Sequence, residues 1–433
     1  MPGPDTTSYD AVLKTVYEGG IRDQIKTRVK TLELFMEGES AAWGGRHVEY
    51  PITVARTEGS GWATELGNLP TAGREEYTDV RIPCRYQYGR ISLSAQVMKA
   101  SQGGRNAFRP AMEREMEGII KTMSADRGRA IFHDGRGILA LVNGTATSAT
   151  QTLDAPGGVA GATNGSRFIR KGMIIGCINA TTGAVRATTV ATVSSVAAAG
   201  ATIGLDVSRT WTDNDYVVRF ATTGSTAVGD TSYNKEFMGL LGHVDDGTYV
   251  ATYQNVNRTT YPIFQSQVIG TAAAPVGALS DDLIQRGIDA ADERGDGETS
   301  DLLCHHSVRR AYIAITVNDR RYIGADLTKP DAGTAAAKKG TLAFGGIPIR
   351  EDKYAPYGLM FGVDRSGFKR YALVDGEWAD EDGAILARVG TGSTAQDAFE
   401  GYYRMWDNFI NDFPNRSFRL DGVTATVSVV SVP

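Results

Sequence analysis

The chain has 433 residues, 42% hydrophobic and 22% charged, with a formal net charge of −5. That length holds about two to four domains at ~100–200 residues each, and the composition is that of an ordinary globular protein. The acidic balance leaves no basic footprint for sequence-specific nucleic-acid binding, and no run nears the ~20 apolar residues of a membrane helix.

Cys84, Cys177 and Cys304 are far apart, with neither metal-type spacing nor a disulfide framework, which fits a reducing compartment. The start, Met1 to Asp5, lacks the basic region and apolar core of a signal peptide. These features together predict a cytoplasmic protein. The 51 glycines predict many turns.

Residues 1–45 read as an N-terminal arm. Val12, Val16, Ile21, Ile25, Val29 and Leu32 mark an amphipathic pattern interrupted at Gly19-Gly20, with Arg22, Lys26, Arg28 and Lys30 on the opposite face. Residues 46–100 read as an extended loop with flanking strands. Val48 to Val54 alternates apolar and polar positions, as does Val80 to Tyr88, and Ile91, Leu93, Ala95 and Val97 continue the alternation. The stretch between them, from Arg56 to Glu76, is Gly-rich and charged, too long for a tight turn and too polar for a core. Such an arm cannot bury its own faces, so it is expected to reach another molecule.

A long helix is predicted over 104–134, within a segment 101–144. Phe108, Met112, Met116, Ile119, Ile120 and Met123 form one stripe, and Glu113, Arg114, Glu117, Lys121 and Arg127 the other, with Asn106 as N-cap and Gly135 as terminator. From 145 to 232 charges thin out and short strands recur between Gly, Asn and Asp turns, which predicts a small all-β unit inserted in the chain. Its strands are expected at 168–175, 184–193, 202–207 and 216–220.

Residues 233–400 mix helices and strands: a helix from Asp281 to Arg294 capped by Ser280, a buried strand Asp301 to Cys304, a helix Val308 to Val317, and strands over 341–349 and 358–363. In 401–433, Tyr402 to Phe413 carries five aromatic residues and reads as core-filling. Ala425, Val427 and Val429 then alternate with Thr and Ser in a last strand.

Chemistry is sparse. No phosphate-binding Gly-x-x-x-x-Gly-Lys-Ser/Thr loop, Gly-x-Ser-x-Gly elbow or His-Glu-x-x-His motif occurs. Asp292 to Gly297 begins like a calcium loop but places Arg294 and Leu303 where oxygen ligands are needed. Cys304-His305-His306 is the one dense cluster of metal-ligand types; neighbours on a strand point to opposite faces, and no second Cys/His pair completes a site. His47, His133 and His243 are isolated, Glu75-Glu76 and Asp380-Glu381-Asp382 sit in loops where charges are solvated, and Trp43 and Trp62 suit an inter-subunit contact at least as well as a ligand face. No catalytic, cofactor-binding or metal-ligating residue is assigned, and the chain is not expected to be an enzyme.

The order of these parts resembles the major capsid protein of tailed bacteriophages, with the Johnson fold (the Hong Kong ninety-seven type). The similarity runs over nearly the whole chain except 145–230. Its local carriers are Tyr-Gly-Arg-Ile-Ser-Leu-Ser (88–94), Ala-Phe-Gly-Gly-Ile-Pro-Ile (343–349) and Ala-Pro-Tyr-Gly-Leu-Met-Phe-Gly-Val-Asp (355–364). The resemblance implies an α+β capsid-type fold with an N-terminal arm (1–45), an extended β-hairpin loop (46–100), a peripheral domain with a long spine helix (101–144), an axial domain (233–400) and return strands (401–433), plus the inserted small all-β domain (145–232).

It further implies a structural protein of the virion that self-assembles, in the host-cell cytoplasm, into hexamers and pentamers of an icosahedral head around double-stranded DNA. Portal and scaffolding proteins are implied partners, with a possible decoration protein on the inserted domain, non-specific contact with packaged DNA, and no membrane. Arg56, Glu58, Trp62, Glu65, Arg74, Glu75 and Glu76 are then expected at inter-subunit contacts, and Lys26, Arg28 and Lys30 toward the interior DNA.

Some relatives lock the shell through a loop lysine, but no lysine lies between Lys30 and Lys99 here. Only about forty-five residues precede the loop, so no fused scaffolding segment is expected. Two other readings are an encapsulin-like nanocompartment shell, which the inserted unit disfavours, and a β-rich carbohydrate-active enzyme, which the lack of a signal peptide disfavours.

Overall fold

The computed structural model describes residues 31, 34–35, 40–43, 45–96, 108–162, 164–197, 200–319, 342–380, 385–390 and 396–426. Lys26, Arg28, Lys30, the expected cap Asn106 and the terminal Val427 and Val429 lie outside the described residues. In chain order come strands β1 (Ser40–Ala42), β2 (His47–Ala55), β3 (Glu76–Pro83) and β4 (Arg85–Ser94), then helix α1 (Phe108–Ala130). Strands β5 (Ile138–Val142), β6 (Ala146–Asp154), β7 (Ile174–Ile178), β8 (Ala191–Val196), β9 (Thr202–Trp211) and β10 (Tyr216–Arg219) follow. The one-turn helix α2 (Leu240–His243) and strands β11 (Thr252–Tyr253), β12 (Val256–Asn257), β13 (Gln267–Ile269) and β14 (Gly277–Ala278) lead to α3 (Asp281–Gly295), β15 (Asp301–Cys304) and α4 (His306–Asp319). The chain continues through β16 (Leu342–Phe344), β17 (Ile347–Glu351), β18 (Leu359–Val363), β19 (Phe368–Trp378), β20 (Ala387–Arg388), β21 (Ala398–Asn411), β22 (Phe418–Asp421) and β23 (Val423–Thr424).

Two compact units are built from interleaved segments. The first takes residues 1–43, 84–131 and 369–409. Its sheet joins β21 antiparallel to β4, in register from Ser94↔Ala398 to Arg85↔Asp407, while β1 adds parallel to β19. The alternation of β4 turns Ile91 and Leu93 inward, where they meet Met116, Ile120 and Met123 of α1 together with Trp378, Tyr403 and Met405. Gly89 lets the helix come close: a Cβ there would lie 2.5 Å from Met123 Sδ and 2.7 Å from Ile119 Cγ1. Truncating one of these methionines to alanine costs about 2–5 kcal/mol.

Three expectations need correction in this unit. The alternation from Val80 to Ser94 is two strands, not one, because the chain breaks at Cys84 and β4 leaves the hairpin for the sheet of β21, while Val97 lies outside the described residues. Arg127, expected on the polar stripe, is 1% exposed and gives Asp407 a bidentate pair at 3.0 and 2.6 Å. Trp43, expected to be available for contact, is 9% exposed.

The second unit takes residues 44–83, 132–368 and 410–433. Strands β10-β5-β6-β9-β8-β7 close into a barrel. The β-rich stretch read from 145 therefore gains its first strand at Ile138. Of the strands expected at 168–175 and 184–193, the first opens on the last residue of a 3₁₀ turn (Gly165–Phe168) and both run mostly through loop, with β7 starting at Ile174 and β8 at Ala191. Gly and Thr break the period there, and the ladder begins only where Ile175, Ala191 and Val193 can face inward.

The six-stranded sheet of this unit has order β13-β22-β18-β15-β17-β16, beside the two-stranded pairs β2-β3, β11-β12 and β14-β23. Strand β15, four buried residues in a row, lies parallel to β17 and antiparallel to β18, with the buried Asp301 at its start paired to Arg350 and Arg365. Leu283, Ile284 and Ala291 of α3 and Val308 and Tyr312 of α4 pack on Leu302, Met360, Phe418 and Leu420. Ser280 caps α3 by accepting from Leu283 N at 3.2 Å, and Asp296 ends it in the left-handed conformation. The chain turns from strand to helix at His306, so the Cys304-His305-His306 cluster is a strand end and not a strand.

Candidate functional site

The hairpin of β2 and β3 is the feature that a packed unit does not explain. The strands pair from His47↔Pro83 to Ala55↔Glu76, with an irregularity after Thr53. The period-two pattern puts Val80 and Ile82 fully inside, with Val48, Tyr50, Ile52 and Val54 half-buried. The root is tied by Tyr50, whose hydroxyl donates to Asp412, and by Arg81 N donating to Gln254 O at 3.0 Å. On the outer face Arg81 pairs with Glu49 and holds that carboxyl below its ordinary range.

Beyond Ala55 the two legs continue as a narrow ribbon without a strand ladder. A Cβ on Gly73 would lie 2.7 Å from Glu58 N, and one on Gly59 3.0 Å from Gly73 N, so only glycine lets the legs run this close. The ribbon turns at Thr64, where Gly67 N donates to Thr64 O at 2.9 Å and Leu66 sits at φ 62°. Fully extended, the leg from His47 to Thr64 spans on the order of 55 Å at ~3.3 Å per residue.

Every sequence-predicted contact residue lies on or beside this ribbon. Arg56, Glu58, Trp62, Glu65, Arg74, Glu75 and Glu76 are all exposed, distributed along both legs and not converging on one point. The fractional exposures are 106% for Trp62, 103% for Leu66 and 87% for Leu69. Leu66 and Leu69 escaped the sequence reading, though two leucines in a Gly-rich charged loop were a visible signal. The Tyr77 hydroxyl donates to Glu75, whose carboxylate pushes the phenol pKa up.

A second exposed aromatic surface lies on the outer face of the β4–β21 ladder in the first unit. Tyr86 and Tyr88 meet the Trp406 ring edge-on at 5.4 and 6.3 Å, and Arg404 stacks over the same indole at 5.1 Å while pairing with Glu377. Among the described residues no group of three or more His, Cys, Asp or Glu is placed to hold a metal ion. His305 Nδ1 lies 2.9 Å from Ser307 Oγ, and His306 lies 3.3 Å from Glu351. What the exposed ribbon offers is contact area and charge.

The fold is one seen in a bacteriophage capsid. The chain is similar to the capsid chain of cyanophage A-1(L), with a TM-score of 0.55 at 12% identity, over 92% of this chain and 93% of that one, so the two share a fold. Looser likenesses extend to a chain of Gordonia phage Cozz (TM-score 0.43, 10% identity, 89% and 85% covered) and to an encapsulin complex of Synechococcus elongatus (TM-score 0.41, 9% identity, 92% and 90% covered). No family model matches the chain, and no curated protein does.

Proposed function

We propose that this chain is the major capsid protein of a tailed bacteriophage, a structural and non-enzymatic subunit. It self-assembles into hexamers and pentamers of an icosahedral head enclosing double-stranded DNA. The observation that carries the reading is the bare ribbon: Trp62, Leu66 and Leu69 stand in solvent on a chain with a phage-capsid fold. Burying each is worth about 1.5–3 kcal/mol, and a second copy is the partner always present during assembly.

In this reading the β2–β3 hairpin is the extended loop, α1 the spine helix, the β5–β10 barrel an inserted domain, the sheet carrying α3 and α4 the axial domain, and β21 the returning strand of the peripheral domain. Arg56, Glu58, Trp62, Glu65, Arg74, Glu75 and Glu76 contact a neighbouring subunit. Lys26, Arg28 and Lys30 on the N-terminal arm face the packaged DNA, which is held through its phosphates without base readout. Portal and scaffolding proteins complete the head, and the barrel is the candidate dock for a decoration protein. The protein belongs in the virion, after assembly in the host cytoplasm. No lysine occurs in the hairpin, so a lysine-based covalent lock from this loop is not available, and apolar and hydrogen-bonded contacts hold the shell.

Negative-stain microscopy of the purified protein tests the reading. Shells, tubes or capsomers are expected; a strict monomer at high concentration contradicts it.

A further inference from the structure

A groove of about 330 Å³ opens beside the root of the hairpin. Ile52 and Val54 of β2 form one wall and Ile263 and Phe413 another, the last two leaving 43% and 42% of their surface exposed. Its volume is at the bottom of the ~300–1,000 Å³ range of sites that enclose a small molecule, which fits one large side chain better than a folded segment. Arg56, Arg294 and Arg416 line it, against Asp296 and an Asp412 already engaged by Tyr50.

The ribbon end has the complementary character. Trp62 is its one indole, and residues 57–75 carry Glu58, Glu65 and Glu75 against Arg74 alone. A chain's own Trp62 does not fill its own groove: the ribbon leaves the groove wall at Arg56 and carries the indole roughly 20 Å away at ~3.3 Å per residue, and Trp62 is fully exposed.

We infer that the groove at the hairpin root receives Trp62 from the hairpin tip of a second copy, with the tip carboxylates meeting the groove arginines. This rests on the assembly reading above and adds where the tip lands. Because tip and groove are different surfaces of the same chain, the contact is heterologous and propagates from copy to copy until a ring closes.

Disulfide capture in assembled particles tests the assignment. Cys84, Cys177 and Cys304 are buried, so engineered surface thiols stand alone. The double variant Trp62→Cys/Ile263→Cys, oxidised after assembly, is expected to give a ladder of covalent multimers that neither single variant gives. Shells without a ladder, or a ladder in Trp62→Cys/Tyr86→Cys instead, overturn the groove while leaving the shell reading intact. Failure of the wild type to assemble withdraws both. As a second measure, Ile263→Glu, at an exposed site, is expected to lower assembly at least about tenfold with an unchanged circular dichroism spectrum; unchanged assembly overturns the assignment.

Discussion

The guanidinium of Arg167 stacks on the ring of Tyr357, 4.1 Å from its centroid. Arg167 belongs to the 3₁₀ turn that precedes β7 of the barrel, Tyr357 to the loop before β18. The same guanidinium donates to Lys353 O and, at 2.9 Å, to Ala355 O, and Phe168 covers it at 4.8 Å. Burial pulls its pKa down to about 10, still charged at neutral pH. One side chain thus joins the barrel to the loop that follows β17.

Arg167→Ala removes the charge-assisted bonds and leaves two carbonyls without this donor. A destabilisation of about 3 kcal/mol is expected, with amide exchange rising first in 165–178 and 352–358. Urea unfolding with hydrogen-exchange mass spectrometry reads both. An unchanged midpoint would mean that packing alone holds the barrel to that loop.

In the first unit, Asp407 sits between Arg127 and Arg370, the latter donating through Nε at 2.8 Å. Burial pushes the carboxyl up, but the two guanidinium groups outweigh it and hold its pKa below the ordinary value. A depressed folded pKa makes this contribution complete above the unfolded value near ~3.9, and it is lost as pH falls through the folded value. Asp407→Asn is expected to cost about 3–5 kcal/mol at pH 7 by removing the carboxylate that two buried guanidinium groups share, Arg370 keeping only its pair with the exposed Asp375 at 2.8 Å. The variant should also lose the part of the acid limb below pH ~4 that this carboxylate supplies. Denaturant melts of both proteins from pH 3 to 7 check it; parallel pH profiles would refute the assignment.

Gly73→Ala places a Cβ 2.7 Å from Glu58 N and forces the ribbon legs apart. The ribbon contributes no core, so subunit stability is expected to change by less than ~0.5 kcal/mol, while shell yield falls. Differential scanning fluorimetry beside sedimentation velocity separates the two effects. Full shell yield would mean that the ribbon's shape is not used.

Much of this molecule is written in short-range pattern. The stripe Met116, Ile120, Met123 and the alternation of β2 and β3 follow from single-residue periods, and Ser280 marks its helix start by chemistry alone. The buried arginines are different. Arg127, Arg167, Arg258 and Arg419 are each at most 1% exposed, although arginine is normally a surface residue. Arg419 has a near partner in Asp421, two residues on, and Arg258 reaches Asp245 thirteen residues back, but Asp407 is 280 residues from Arg127, and the carbonyls that accept from Arg167 are 186 and 188 residues off. No short window of sequence contains Arg127 with Asp407, or Arg167 with its acceptors. The exposed tip was legible as composition, but its end at Leu66 and Leu69 depends on the turn at Thr64, which propensity does not locate.

The most direct measurement is a cryo-electron microscopy map of the assembled particle, traced through residues 56–75. Shells are expected in which that ribbon crosses onto a neighbouring copy with Trp62 buried there. A ribbon folded back over its own chain around a ligand-filled cleft, or a protein that never forms a shell, would contradict it.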